Sequence, residues 1–138
     1  EFRRVLFRSL ILDDDKTRHD TYDRVYMGHT VRHAYTYYEF LADLDRDSPW
    51  DVFHLDHDLG DLTTGDFYYD GWGRKREYNG QHASLRICEL QDDRLPKKVI
   101  IQSVNPDGAA AIFSNLKRRG VDVVRQPFTS MIDPGDAQ

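Results

Sequence analysis

Between Asp51 and Gly60 a short apolar run (Val52, Phe53, Leu55) breaks into Asp56-His57-Asp58-Leu59-Gly60. Two carboxylates and an imidazole thus leave the end of what reads as a buried strand. A second apolar run, Leu10-Ile11-Leu12, ends in Asp13-Asp14-Asp15, and a third, Val99-Ile100-Ile101, ends in Gln102-Ser103-Val104. In an open parallel sheet the carboxyl ends of neighbouring strands meet at one crevice, where ligands bind. Four or five carboxylates gathered there repel one another unless a hard cation sits among them. Asp13, Asp14 and Asp56 offer oxygen ligands suited to Mg²⁺ or Mn²⁺; for a metal-dependent phosphoesterase, a backbone carbonyl near Asp58 is expected to join them. Such an ion would polarise a phosphoryl oxygen and activate water. His57 is placed for proton transfer near neutral pH. Ser103, with the N–H groups that open a helix at Asn105, is placed to hold phosphate oxygens.

The elements that must position these residues can be read from the same chain. Ser9 to Leu12 forms the first strand, and Thr17 to Tyr26 a short helix closed by Gly28. His29 to His33 forms a second strand, and Thr36 caps a helix running to about Asp45, broken at Ser48-Pro49. Asp51 to Asp56 is the third strand, and Gln81 to Gln91 a helix with Ala83, Ile87 and Leu90 spaced for burial. The segment 62–78, with Tyr and Phe between acidic and basic residues, reads as an insertion, a hairpin or a lid over the crevice. Asn105 as N-cap, Pro106 at the first helical position, and Gly120 after Lys117-Arg118-Arg119 delimit the last clear helix. Val121 to Val124 forms a fifth strand, and the tail after Met131 is short and polar. This alternation predicts an α/β fold with a parallel sheet covered on both faces.

Composition narrows the setting. At 138 residues the chain is read as one domain, with a hydrophobic share of 39% and no run approaching a membrane span. One cysteine, Cys88, allows no internal disulfide, which fits a reducing cytoplasmic setting and a packing role. Residues 1–8 read as a vector or adaptor scar, leaving 9–138 as the domain. Removing three Arg and one Glu takes the formal charge from −5 to −7. An acidic domain is a poor general binder of polyanions, so a nucleic-acid polymer is expected only through a cyclic-phosphate end. Paired tyrosines at 37–38 and 68–69 read as packing rather than as a platform for bases.

The acidic pair Asp13-Asp14, the acid Asp56, the hydroxyl Ser103 and a Pro-Phe after the fifth strand, in this order, resemble a response-regulator receiver domain. Leu55 to Gly60 and Ser103 to Gly108 (Ser-x-Asn-Pro-x-Gly) bring the resemblance closer to a divergent branch, the cyclic-phosphate-processing receiver-like domains. It spans about Leu10 to Phe128. It implies a flavodoxin-like, three-layer α/β/α fold with a five-stranded parallel sheet in the order 2-1-3-4-5. An insertion follows the third strand, and the last helix is truncated.

The resemblance also implies that Asp56, His57 and Ser103 carry chemistry, and that Ser103, Asn105, Gly108 and Gln126 hold phosphate. Signalling receivers carry a Lys where this chain has Gln126, which argues against a phosphorylated switch. Three functions follow. One is a Mg²⁺- or Mn²⁺-dependent phosphoesterase acting on a cyclic nucleotide or a 2′,3′-cyclic phosphate end, in a nucleotide-dependent conflict setting. The second is a non-catalytic module that binds a nucleotide or a protein partner, and the third a phospho-acceptor regulator. The expected ligand is a phosphate-containing small molecule or nucleotide.

Overall fold

Leu10 to Leu12 have no solvent exposure at all, because the strand they form is flanked on both sides by others. The computed structural model describes residues 7–47, 49–59 and 67–127. In chain order the elements are β1 (Arg8–Leu12), α1 (Lys16–Val25), β2 (Thr30–Ala34), α2 (Tyr37–Asp47), β3 (Val52–Leu55), β4 (Phe67–Tyr69), β5 (Lys75–Glu77), α3 (Gly80–Cys88), a 3₁₀ turn (Asp92–Arg94), β6 (Lys98–Ile101), α4 (Pro106–Arg119) and β7 (Val123–Arg125). Five strands run parallel in the order β2-β1-β3-β6-β7. Counting the parallel strands alone, this is the expected 2-1-3-4-5 order. The hairpin β4-β5 is separate and antiparallel.

Alternation along the strands sends their side chains to two faces. Leu10, Leu12, Phe53, Leu55, Val99 and Ile101 face the main core, with Phe40, Leu44, Ala83, Ile87, Ile112 and Leu116 from α2, α3 and α4. Ile11, His54 and Ile100 share a register row on the other face, where α1 packs through Tyr22, 4.3 Å from the His54 ring. The result is a three-layer α/β/α fold of the flavodoxin-like, receiver type.

Local signals account for the helix boundaries. Asp15 caps α1 by accepting from Thr17 and Arg18 N–H, and Thr36 Oγ1 accepts from Glu39 N–H at the start of α2. Asn105 caps α4 through Gly108 N–H, and Gly120 ends it at φ 90°. The helix α3 begins at Gly80 rather than Gln81, because Asn79 and His82 form a reciprocal capping box. Arg8 belongs to β1, one residue before the expected domain boundary. Its N–H donates to Asp51 and its guanidinium lies 4.5 Å from the Trp50 ring.

The expected insertion contains the β4-β5 hairpin, held at its turn by Asp70, which accepts from the N–H groups of Trp72 and Arg74. Its aromatic contacts lead to the α2 and α3 side: Tyr78 stacks on Tyr37 at 4.3 Å, and Tyr68 lies 5.5 Å from His82. The tyrosines at 37 and 68 therefore pack, as expected. Residues 1–6, Ser48, Gly60, positions 62–66, Phe128, the truncation of the last helix and the tail after Met131 lie outside the described residues.

Candidate metal centre

Register builds the site. Leu12, Leu55 and Ile101 are paired across β1, β3 and β6, and the ladder continues one step past the strands. Asp13 N–H donates to Ala34 O, Asp56 N–H to Leu12 O, Gln102 N–H to Leu55 O and Gln126 N–H to Ile101 O, at 2.8–3.1 Å. Asp13, Asp56 and Gln102 thus form one row on the face that carries α1. With Asp14, the two acids bring one oxygen each to within 4.8 Å of one another, and among the described residues this is the group of acids suited to a cation.

The cluster is buried at its root and open at its mouth: the Asp13, Asp56 and Asp14 side chains are 0%, 11% and 36% exposed. Burial, and then the neighbouring Asp13 charge, push the Asp56 carboxyl up to about 7. The same two causes raise Asp14. Asp13 is saturated with donors. Its Oδ1 accepts from Asp15 N–H and Arg18 Nη2, both at 2.9 Å, and its Oδ2 from Arg18 Nε at 2.7 Å and Gln102 Nε2 at 2.5 Å. Gln102 is in turn fixed by the Tyr22 hydroxyl, which donates to its Oε1 at 2.6 Å. Behind the acid, His19 Nε2 donates to the Asp13 carbonyl at 2.7 Å, and its Nδ1 lies 2.6 Å from His33 Nδ1.

The other expected residues divide. The Asp58 side chain does not join the cluster; it is 62% exposed and its Oδ1 accepts from His57 Nδ1 at 2.8 Å. His57 lies over α4, where a Cβ on Gly108 would collide with the imidazole. Gly108 is therefore needed for close approach of that ring, and its N–H is spent on the Asn105 cap at 3.0 Å. Cap and ring thus occupy the donor and the open side of Gly108, one of the residues expected to hold phosphate. Ser103 is buried beside the row, its Oγ accepting from Asn105 N–H at 3.0 Å. Asn105 Nδ2 approaches His57 Nδ1 at 3.4 Å. Gln126 extends the row at the β7 edge and is exposed. Gly80 fixes the other side of the lip: its N–H donates to His57 O at 2.8 Å, and a Cβ there would strike the Asp56 carbonyl.

Arg18, Gln102 and His19 were not among the expected site residues. Arg18 did leave a trace in the sequence, as a cation in the first turn of α1, where the helix dipole favours an acid.

Comparison with known proteins agrees with this fold. The chain is similar to the receiver domain of a CheY-like response regulator from Methanospirillum hungatei JF-1 (19% identity, 96% of this chain and 87% of that one, TM-score 0.61). It is likewise similar to the receiver domain of a LuxO-type repressor from Vibrio parahaemolyticus (19%, 95% and 83%, TM-score 0.60). A third is a Burkholderia pseudomallei response regulator solved with a phosphorylated aspartic acid, calcium ion and citrate (19%, 90% and 62%, TM-score 0.58). These likenesses show the fold. No curated protein matches the chain. The model of one family, the cyclic-phosphate processing receiver domain, matches residues 8–118, from the start of β1 almost to the end of α4. On that match, the chain belongs to the cyclic-phosphate processing receiver domains.

Proposed function

We propose that this chain is a divalent-metal-dependent phosphoesterase that opens a cyclic phosphate on a nucleotide or at an RNA end. The observation that carries the reading is the convergence of Asp13, Asp14 and Asp56 oxygens within 4.8 Å, in a family named for cyclic phosphates. An all-oxygen donor set on a buried root fits a hard cation, Mg²⁺ or Mn²⁺, and burial, then the Asp13 charge, disfavour the ionised Asp56, a cost that a cation would offset. A calcium ion accompanies the phosphorylated aspartic acid of the Burkholderia relative, which supports a divalent site on this fold.

Asp13, Asp14 and Asp56 would hold the ion, with the Asp58 backbone carbonyl beside them. Bound there, the ion would polarise a phosphoryl oxygen and offset charge developing at phosphorus. The remaining work falls to the chain's own groups. His57 keeps Nδ1 toward Asp58 at 2.8 Å, and its Nε2 has no hydrogen-bond partner among the described residues. This arrangement orients the ring and leaves Nε2 to move a proton. Nε2 takes a proton from water as that water adds to phosphorus in line with the leaving ester oxygen; the P–O bond breaks, the departing oxygen takes a proton from solvent, and Nε2 later releases its own to solvent. Ser103 retains a hydroxyl proton to donate to a phosphate oxygen, and Asn105 presents its amide at the same lip.

Incubation of the full chain with 2′,3′-cyclic nucleotides and cyclic dinucleotides, plus Mg²⁺ or Mn²⁺, tests the proposal by chromatography of the products. Conversion to a linear monoester or linear dinucleotide, absent in Asp56→Asn, is expected. Recovery of every substrate intact, with wild type matching the variant, rejects it. A second reading, a binding module without chemistry, draws on the Arg18–Asp13 pair, which already neutralises part of the pocket. Calorimetry showing tight nucleotide binding, with the ligand recovered unchanged and affinity kept in Asp13→Ala, selects that reading instead.

A further inference from the structure

We infer that Arg18 is the exchangeable counter-ion of the carboxylate pocket. Its guanidinium and a divalent cation compete for the same oxygens, and the guanidinium set free by the ion becomes a phosphate-binding group at the mouth. The inference rests on the reading of the pocket as a cation site and adds to it a residue and an order of events.

The placement of Arg18 is costly for the helix that carries it. It is the third residue of α1, three after the Asp15 cap, where a cation opposes the helix dipole and the first turn holds no acid. What the side chain reaches offsets that cost. Nη2 lies 2.9 Å from Asp13 Oδ1, 3.8 Å from Asp14 Oδ1 and 3.5 Å from Asp56 Oδ2, so a single nitrogen faces all three acids. Those acids can place their oxygens within 4.8 Å of one another. An ion bonding them at about 2.1 Å would occupy the same small volume as Nη2.

Donor counting leads to the same place. A carboxylate has about four lone-pair sites, and Asp13 already receives four donors. One comes from the backbone of Asp15 and one from Gln102, which is buried and fixed by Tyr22. The other two come from Arg18, whose side chain is 29% exposed and so has a path to solvent. An ion that binds Asp13 must therefore take its place from Arg18. Charge permits the exchange. Three ionised acids and one guanidinium leave two negative charges, enough to attract a divalent ion. Once the ion is seated, the acids no longer need the guanidinium, and its planar fork suits the oxygens of a phosphate.

Mn²⁺ binding followed by EPR on wild type, Arg18→Met and Arg18→Lys tests the exchange without reliance on turnover. Arg18→Met should bind Mn²⁺ about tenfold more tightly than wild type, with Arg18→Lys between them. With Mg²⁺ saturating, inorganic phosphate should bind Arg18→Met about tenfold more weakly than wild type. Should the variants fail to fold, the Arg18 Nε–H resonance of ¹⁵N-labelled wild type still reports. It should shift and exchange faster with water as Mg²⁺ is added. Mn²⁺ affinity in Arg18→Met equal to or below that of wild type, or an Arg18 resonance unmoved while Mg²⁺ binds, overturns the exchange. Equal phosphate affinity in the two proteins overturns the phosphate role. No Mn²⁺ binding by any of them overturns the cation site itself.

Discussion

Replacing Asp56 by Asn should make the metal-free protein more stable at alkaline pH, although it alters the residue on which the proposed chemistry most depends. Burial, and then the Asp13 charge, raise the Asp56 carboxyl from 3.8 to about 7. Its folded value lies above its unfolded one, so the stability contributed by the neutral carboxyl is fully present below about pH 4. It is lost as pH rises through about 7. At about 1.4 kcal/mol per pH unit across that interval, the whole loss is about 4 kcal/mol. Asn keeps the side-chain size and the oxygen that accepts His57 N–H at 2.9 Å, but carries no charge. The variant should be about 2–4 kcal/mol more stable than wild type at pH 8 and level with it at pH 4. Urea unfolding followed by circular dichroism in EDTA, from pH 4 to 8, measures the gap, and equal slopes against urea show that the same surface unfolds. Adding Mg²⁺ should stabilise wild type and narrow the gap, because an ion that binds only the folded protein shifts the equilibrium toward it. A variant no more stable than wild type at pH 8, or a gap that stays constant with pH, refutes the reasoning.

Other expectations follow from single contacts. His54 is buried, and burial pushes it down from 6.5 to about 3. Its folded value is depressed, so the stability present above about 6.5 is lost as pH falls toward 3, by about 3 kcal/mol at pH 4.5. His54→Phe should flatten this acid limb in the same unfolding series, and an unchanged limb would show that His54 does not cause it. Gly80→Ala drives a methyl into the Asp56 carbonyl and should cost about 3 kcal/mol; a loss below about 1 kcal/mol would contradict the close approach. Gly108→Ala should displace the His57 ring, read as a shift of its imidazole resonances and a loss of about 1–3 kcal/mol. An unmoved ring would mean that Gly108 is not what seats it. Acetyl phosphate with Mg²⁺ should leave no stable label on Asp56 by intact mass, whereas a persistent phosphoryl adduct would restore the phospho-acceptor reading.

The fold was legible because its main signals are local. Apolar runs ending in acids mark β1 and β3, and Asn105-Pro106 and Gly120 delimit α4 on cap chemistry alone. Strand register then does what no single motif can, bringing Asp13, Asp56 and Gln102 into one row. What was not legible depends on tertiary contact. Gln102 reaches Asp13 across 89 residues of sequence, and Arg18, although only five residues from that acid, reaches it from the helix layer by a side-chain path that spacing alone does not reveal. Asp58 and Gly108 sit at motif positions that suggest ligands, but His57 claims both, one as a hydrogen-bond acceptor and the other as a floor. The α3 boundary moved to Gly80 because a capping box involving His82 is not the usual Ser or Thr pattern.

The central claim is that a divalent cation seats among Asp13, Asp14 and Asp56 in place of the Arg18 guanidinium. Anomalous diffraction from crystals of the full chain soaked in Mn²⁺ near pH 7.5 tests it most directly. One manganese peak is expected about 2.2 Å from carboxylate oxygens of both Asp13 and Asp56, with Arg18 Nη2 turned out of the pocket. No manganese between those carboxylates at saturating concentration, with Arg18 still paired to Asp13 through Nε and Nη2, would contradict it.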